Sequence, residues 1–380
     1  MKRLIRVTSM LAFAGCATTA STTAVPAKKA AEPQKLAITN VIPFDLAACG
    51  PRTLALAPLT GDALSGAMLS LNPALQECFV DTTAREGQAF DLQAKLTVAE
   101  TGLSIELIGT GASAKGKACV EATFKKLALP TLPAGSKPVV AQTPVPLGAQ
   151  TVKFGDNAAN DIAGTLRLAQ PSWCPCYAPL AAKAPPALAV DVEVAEGGAV
   201  KVAFATSDTL TACLTEHMQA LELGTTATKL GWPLLLDNSY ATEVDASAPA
   251  ALRFQQLEGM RAQRTADVLI AAGQRTAAAL AFDDLAGKYK KKPAKGLLEE
   301  LQKKCADVAA GDDAQAAAVK GLVAVLEDAQ KLVLAEKTKD PQWAAVEPQL
   351  AQQLTSSTAE VVRVEGQKKN DLNACPKAKY

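Results

Sequence analysis

A stretch of about a hundred residues occurs twice in this chain, and the duplication restricts the fold to something one such stretch can build and then repeat. Gly66 aligns with Gly164, Pro73 with Pro171 and Cys78 with Cys176, each 98 positions apart. Leu64 with Ile162, Met68 with Leu166, and Phe79 with Tyr177 lie on the same diagonal. The pentapeptide Val98-Ala99-Glu100-Thr101-Gly102 aligns with Val194-Ala195-Glu196-Gly197-Gly198 at an offset of 96. Cys119, Val120, Phe124 and Leu127 then align with Cys213, Leu214, Met218 and Leu221 at 94. The slow drift in offset is that of small loop deletions.

Within each copy the hydrophobic period changes, and each change marks an element. Leu64, Met68, Leu71, Leu75 and Cys78 recur at three and four residues, giving one helical face that Pro73 must kink or restart. Leu92, Ala94, Leu96 and Val98 alternate, as do Leu188, Val190, Val192 and Val194, so each run is a half-buried strand. Gly102 and Gly198 supply the glycine of a tight turn before a second alternating run, through Ile105 and Leu107 or through Val200, Val202 and Phe204. Cys119, Thr123, Phe124 and Leu127, and Cys213, His217, Met218 and Leu221, return to helical spacing. The unit is helix, antiparallel hairpin, helix, with a further strand expected: a small α+β domain with its helices on one face of a sheet.

These landmarks resemble the TonB C-terminal-like domains, of the disulfide-bearing type found at the C-terminus of AgmX and PglI proteins. The matching residues are Cys78-Phe79 and Cys176-Tyr177, Gly102 and Gly198, Cys119-Val120 and Cys213-Leu214, and Leu129-Pro130 in the first copy. The resemblance covers roughly residues 40 to 240 and implies a periplasmic docking module.

The N-terminus carries an address. Met1-Lys2-Arg3, a short apolar run and Leu11-Ala12-Phe13-Ala14-Gly15-Cys16 resemble a bacterial lipoprotein signal, in which residues 1–15 are removed and Cys16 is acylated. That resemblance implies an outer-membrane protein held by its N-terminal lipid, at the periplasmic face or the cell surface. Residues 16–35 are mostly Ala, Thr, Ser, Pro and Lys, and read as a flexible tether on the order of 25 Å in root-mean-square span. The following body divides into repeat 1 (36–145), repeat 2 (146–243) and an all-α helical bundle (244–380).

With Cys16 acylated, eight cysteines remain in an oxidising compartment. The repeat pairs Cys78 with Cys119 and Cys176 with Cys213, one bridge per copy. Cys305 shares a helical stripe with Leu298, Leu301 and Val308 and is assigned to Cys375, also in the last domain. That leaves Cys49 with Cys174 as a staple between the copies, a pairing the sequence leaves open. Cys174, Cys176, Cys213 and His217 also have ligand types and spacings that suit tetrahedral zinc. Against this, the first copy has Gln76 and Thr123 where Cys174 and His217 stand, so the bridge is what the copies share. Cys174-Pro175-Cys176 as a redox pair has one residue too few for a thioredoxin-type motif.

From Ser247 onward the pattern is helical. Ser247 and Pro249 read as a cap and first-turn proline, Asp312-Asp313 and Asp340-Pro341 as later starts. Breaks are expected at Gly287 to Lys295, Gly311 and Lys337 to Asp340, with Pro348 bending the last helix, so the helices fold back into an antiparallel bundle. The run from Gly287 to Lys295 is basic and reads as a solvated interhelix loop, with contact to anionic lipid headgroups as the alternative.

Function classes narrow by subtraction. Lys and Arg number 39 against 38 Asp and Glu, so no global field steers the chain onto nucleic acid, and 4% aromatics offer few stacking platforms. The lone histidine, His217, lies in no triad context, and no phosphate loop, zinc-protease or dinucleotide motif occurs. No cofactor is implied. The expectation is a non-catalytic, disulfide-stapled envelope scaffold that binds another envelope protein; the alternative is a thiol-redox or zinc enzyme at Cys174, Cys176, Cys213 and His217.

Overall fold

The computed structural model describes residues 34–35, 43–50, 52–80, 91–145, 157–180 and 187–375. The leader, Cys16 and nearly all of the tether lie outside the described residues. Two short strands, β1 (Gln34–Lys35) and β2 (Phe44–Asp45), precede the first unit. A single 3-10 turn, Leu46–Cys49, follows β2 and is capped by the Asp45 side chain, which accepts from the Ala47 N–H.

In the first unit α1 (Gly61–Ser70) starts where the Thr60 hydroxyl accepts from the Ala63 N–H at 3.1 Å. It stops at Leu71, and α2 (Asn72–Glu77) restarts the chain with Pro73 in its first turn, where a missing N–H costs nothing. β3 (Asp91–Ala99) and β4 (Gly102–Thr110) pair in full antiparallel register, from Asp91 opposite Thr110 to Ala99 opposite Gly102. Gly102 closes this hairpin at φ 113°, a conformation glycine adopts without steric cost. After α3 (Ala114–Phe124), β5 (Val139–Pro144) joins the other side of β3, giving the order β4-β3-β5. Leu92, Ala94, Leu96 and Val98 all face one way and are buried against Leu64, Met68, Leu71, Leu75, Val120 and Phe124.

The second unit repeats this plan with α4 (Ala158–Ala169), α5 (Cys174–Tyr177), β6 (Ala187–Val194), β7 (Val200–Phe204), α6 (Thr209–Gln219) and β8 (Thr228–Asp237). Pro171 opens a 3-10 turn, Gln170–Trp173, at the place where Pro73 opens α2. Trp173 and Trp232 meet edge to face at 6.4 Å in the core. The sheet order is β1-β8-β6-β7, with β2 also on β8, and both short strands run parallel to β8. The sheet is therefore mixed, where an antiparallel one was expected. Residues 44–45, assigned to the first unit from the sequence, belong to the second unit's sheet.

The C-terminal part is three antiparallel helices: α7 (Ala250–Lys291), α8 (Lys295–Glu336) and α9 (Glu347–Ala374). The fold is thus α+β, two small sheets followed by a helical bundle, as the periodicity indicates. Four sequence expectations are corrected. The run from Gly287 to Lys295 is not a loop throughout: α7 continues through Lys291, and only Lys292 to Ala294 connect it to α8. α8 runs unbroken through Gly311-Asp312-Asp313, because Asp312 accepts from the Arg275 Nε of α7 at 3.0 Å and a Cβ on Gly311 would stand 3.0 Å from the Arg275 Cα. Gly311 is thus a close-packing glycine, not a terminator. Ser247 does not cap α7; its hydroxyl bonds Asp245 at 2.6 Å, and Pro249 stands at the cap without a side-chain bond. Pro348 bends nothing, because it sits in the first turn of α9.

The bundle is not separate from the repeats. α1 lies on α7 through small residues: a Cβ on Gly66 would meet the Ala266 carbonyl oxygen at 2.6 Å, and one on Gly273 would meet the Ala63 nitrogen at 2.8 Å. Gln263 of α7 donates to the Ser70 carbonyl at 3.0 Å and fastens the end of the crossing. No helix among the described residues is long and apolar enough to cross a membrane.

Candidate functional site

Each unit brings the end of its first helical segment against its last helix, and a cysteine pair stands at each meeting point. Cys78 caps α2 and Cys119 lies on α3, bonded with Cα atoms 5.6 Å apart. Cys176 of α5 and Cys213 of α6 are bonded at 5.7 Å. Cys49 and Cys174 are joined at 5.3 Å, and Cys305 and Cys375 at 5.9 Å. All four separations fall in the range a disulfide spans without backbone movement.

His217 follows Cys213 by one helical turn, and its ring lies over the bridge: the donor atoms of Cys176, Cys213 and His217 are within 4.8 Å of one another. The equivalent position in the first unit does the same with a hydroxyl, Thr123 Oγ1 standing 3.8 Å from Cys78 Sγ. By type these three donors, with water as a fourth ligand, are those of a zinc site. They do not bind the ion while the bridge is closed, because the metal needs thiolates and both sulfurs are spent on each other. Cys174, the fourth proposed ligand, is spent on Cys49.

A second cluster escaped the sequence reading. Asp45 and Asp237 are register partners on the parallel strands β2 and β8, so their side chains leave the sheet on the same face. Asp45 accepts from the Ala47 N–H at 2.9 Å, the Ser239 N–H at 3.1 Å and the Ser239 hydroxyl. Asp237 is buried and accepts from the Asn238 N–H at 2.7 Å. Burial raises both carboxyls. At Asp45 the Ser239 and Ala47 bonds oppose the rise, while at Asp237 the neighbouring Asp45 charge adds to it. Beside them Arg167 of α4 forks onto Glu77 of α2 at 2.8 and 2.9 Å, donates to the Pro43 carbonyl at 3.1 Å, and stands over the Phe44 ring. Burial pushes the nearby Tyr177 phenol up against the opposing pull of Arg167. Asp237, Asn238 and Ser239 are all buried, so the cluster offers a substrate no approach. It works as a clasp between the first unit, the N-terminal strands and the second unit. A two-residue strand has no periodicity, so nothing local announced it.

Edge strands bound both sheets, β4 and β5 in the first and β7 and β1 in the second. Among the described residues β4 and β7 each pair on one side only, leaving a row of backbone donors and acceptors unused. On β4 the inward residues Leu103, Ile105 and Leu107 are half-covered while Ser104, Glu106 and Ile108 are exposed; on β7 Val200, Val202 and Phe204 alternate with exposed Lys201 and Ala203 in the same way.

Comparison of the chain with protein-family models, with curated proteins and with solved structures finds no match in any of the three.

Proposed function

We propose that this is an exported scaffold protein, tethered to the outer membrane by lipid on Cys16, that binds another envelope protein by strand addition at β4 and β7. One observation carries the reading: the chain builds a bridged sheet twice, and each copy has an edge strand, paired on one side only, with a half-covered apolar row. Strand addition takes affinity from backbone hydrogen bonds and selectivity from alternate side chains, and both are available at these edges. The four bridges suit an oxidising compartment, and the resemblance to TonB C-terminal-like docking modules points the same way.

Photo-cross-linking groups placed at Ser104, Glu106 and Lys201 in native envelopes test the docking edges, with Asp328 and Lys331 on α8 as controls. A discrete adduct from the edge positions alone supports the reading, and its absence from all three removes it. Lipid analysis of Cys16 tests the anchor separately.

The second reading, a thiol-redox or zinc enzyme at Cys174, Cys176, Cys213 and His217, draws on the close approach of three of these donors. It requires the bridges to open. Free thiols or bound zinc in the non-reduced protein, seen by mass spectrometry, select it; intact bridges remove it.

A further inference from the structure

α7 and α8 form a finger whose tip stands clear of the rest of the described residues. α9 ends at the Cys305–Cys375 bridge, and α8 reaches ten residues further, about 15 Å. α1 crosses α7 at Gly273, leaving 18 residues, about 27 Å, between the crossing and the end of α7.

At that tip the sequence places Lys288, Lys290, Lys291, Lys292 and Lys295, all exposed, with no acidic residue from Leu285 to Leu298. Lys288 pairs with Asp284 at 2.6 Å. The other four make no ion pair among the described residues. Asp283, Asp284, Glu299 and Glu300 form a collar below them, so opposite charge is used along the shaft and excluded from the end. The helix dipole gives Lys288, Lys290 and Lys291 an ordinary structural role at the C-terminus of α7. The same role extends to Lys292, the C-cap of α7, but the dipole opposes Lys295, which opens α8.

We infer that the α7–α8 tip docks on an anionic phospholipid surface, the four unpaired lysines meeting headgroup phosphates. The placement decides between anionic partners: the lysines stand exposed at the end of a helical hairpin without acidic neighbours, and a membrane offers diffuse charge to such an end. Tyr289, half-buried among the lysines, adds an amphipathic ring suited to headgroup depth. This inference does not rest on the proposed docking edges, which lie on other elements.

The test uses the full chain with Cys16→Ser, so that no acyl group contributes, and vesicles of phosphatidylcholine with and without phosphatidylglycerol. Co-sedimentation with the anionic vesicles, absence from the neutral ones, and loss of binding as salt rises are expected. Each lysine at an anionic surface contributes about fivefold, so Lys290→Gln, Lys291→Gln, Lys292→Gln and Lys295→Gln together weaken binding on the order of several hundredfold. Removing four exposed lysines elsewhere, Lys125, Lys126, Lys137 and Lys369, leaves it within about tenfold of the parent. Equal effects from the two quadruple variants, equal binding to neutral vesicles, or no binding to anionic vesicles overturns the inference. Tight capture of soluble polyglutamate in place of vesicles does the same and assigns the tip to an acidic polypeptide.

Discussion

Replacing Gly66 by alanine puts a methyl group 2.6 Å from the Ala266 carbonyl oxygen and 2.7 Å from Ile270 Cγ1, where ordinary contact begins at 3.4 Å. The Ile270 side chain can turn aside, but the carbonyl belongs to the α7 backbone and cannot. The two helices must part by about 0.8 Å along the crossing, and overpacking of this kind costs about 1–3 kcal/mol. Alanine in place of glycine also returns about 1 kcal/mol of helix propensity, so a second variant isolates the packing effect. A Cβ on Gly366, inside α9, meets nothing within 4 Å, and Gly366→Ala receives the propensity gain alone. In urea denaturation followed by circular dichroism, Gly366→Ala is expected to gain about 1 kcal/mol and Gly66→Ala to lose up to about 2 kcal/mol, the overpacking cost less the propensity gain. Hydrogen exchange should quicken on both α1 and α7 in Gly66→Ala. If Gly66→Ala is as stable as Gly366→Ala, the repeats do not seat on the bundle through this crossing, and the close approach carries no energetic weight.

Opening the Cys78–Cys119 loop of 41 residues by the double change to serine releases unfolded-state entropy worth up to about 4 kcal/mol, measured as a fall in the denaturation midpoint. Arg167→Ala strands the Glu77 carboxylate in a site where the pair's side chains are 4% and 14% exposed, and is expected to cost about 3–5 kcal/mol; Arg167→Met with Glu77→Leu recovers most of that loss. Asp45 and Asp237 hold their protons to higher pH in the folded chain than in the unfolded one, so the pair's contribution falls as pH rises from the ordinary aspartate range through the raised values. Asp237→Asn is therefore expected to stabilise the protein at neutral pH and flatten that decline, read from denaturation midpoints across the range; an unchanged slope contradicts the assignment.

What was legible in the sequence is what repeats or alternates. The period-two runs ending at Val98 and Val194 are the strands β3 and β6, and the cysteines aligned between the copies are those that stand bonded. Contacts between distant segments were not legible, because each is made by residues ordinary in their own surroundings. Gly66 stood out only as a repeat match, and its reason is Ala266, 200 positions away. Gly311-Asp312-Asp313 has the composition of a helix boundary and would be one if Arg275 were not alongside to take the Asp312 charge. Phe44-Asp45 is too short to show a period, yet it carries half of the carboxyl pair, and β8 some 190 residues later supplies the other half. Three of the four residues with zinc-like spacing come together, Cys174 being bonded to Cys49 instead, and the Cys176–Cys213 bridge decides their chemistry.

β2 and the Cys49–Cys174 bond together determine where mechanical tension enters the molecule. A pull on the N-terminal end meets first the hydrogen bonds of β1 and then those of β2 to β8, loaded lengthwise, and then a covalent bond into α5, before it reaches α1. The load is thus handed to the second sheet, and β4 of the first sheet lies outside that path.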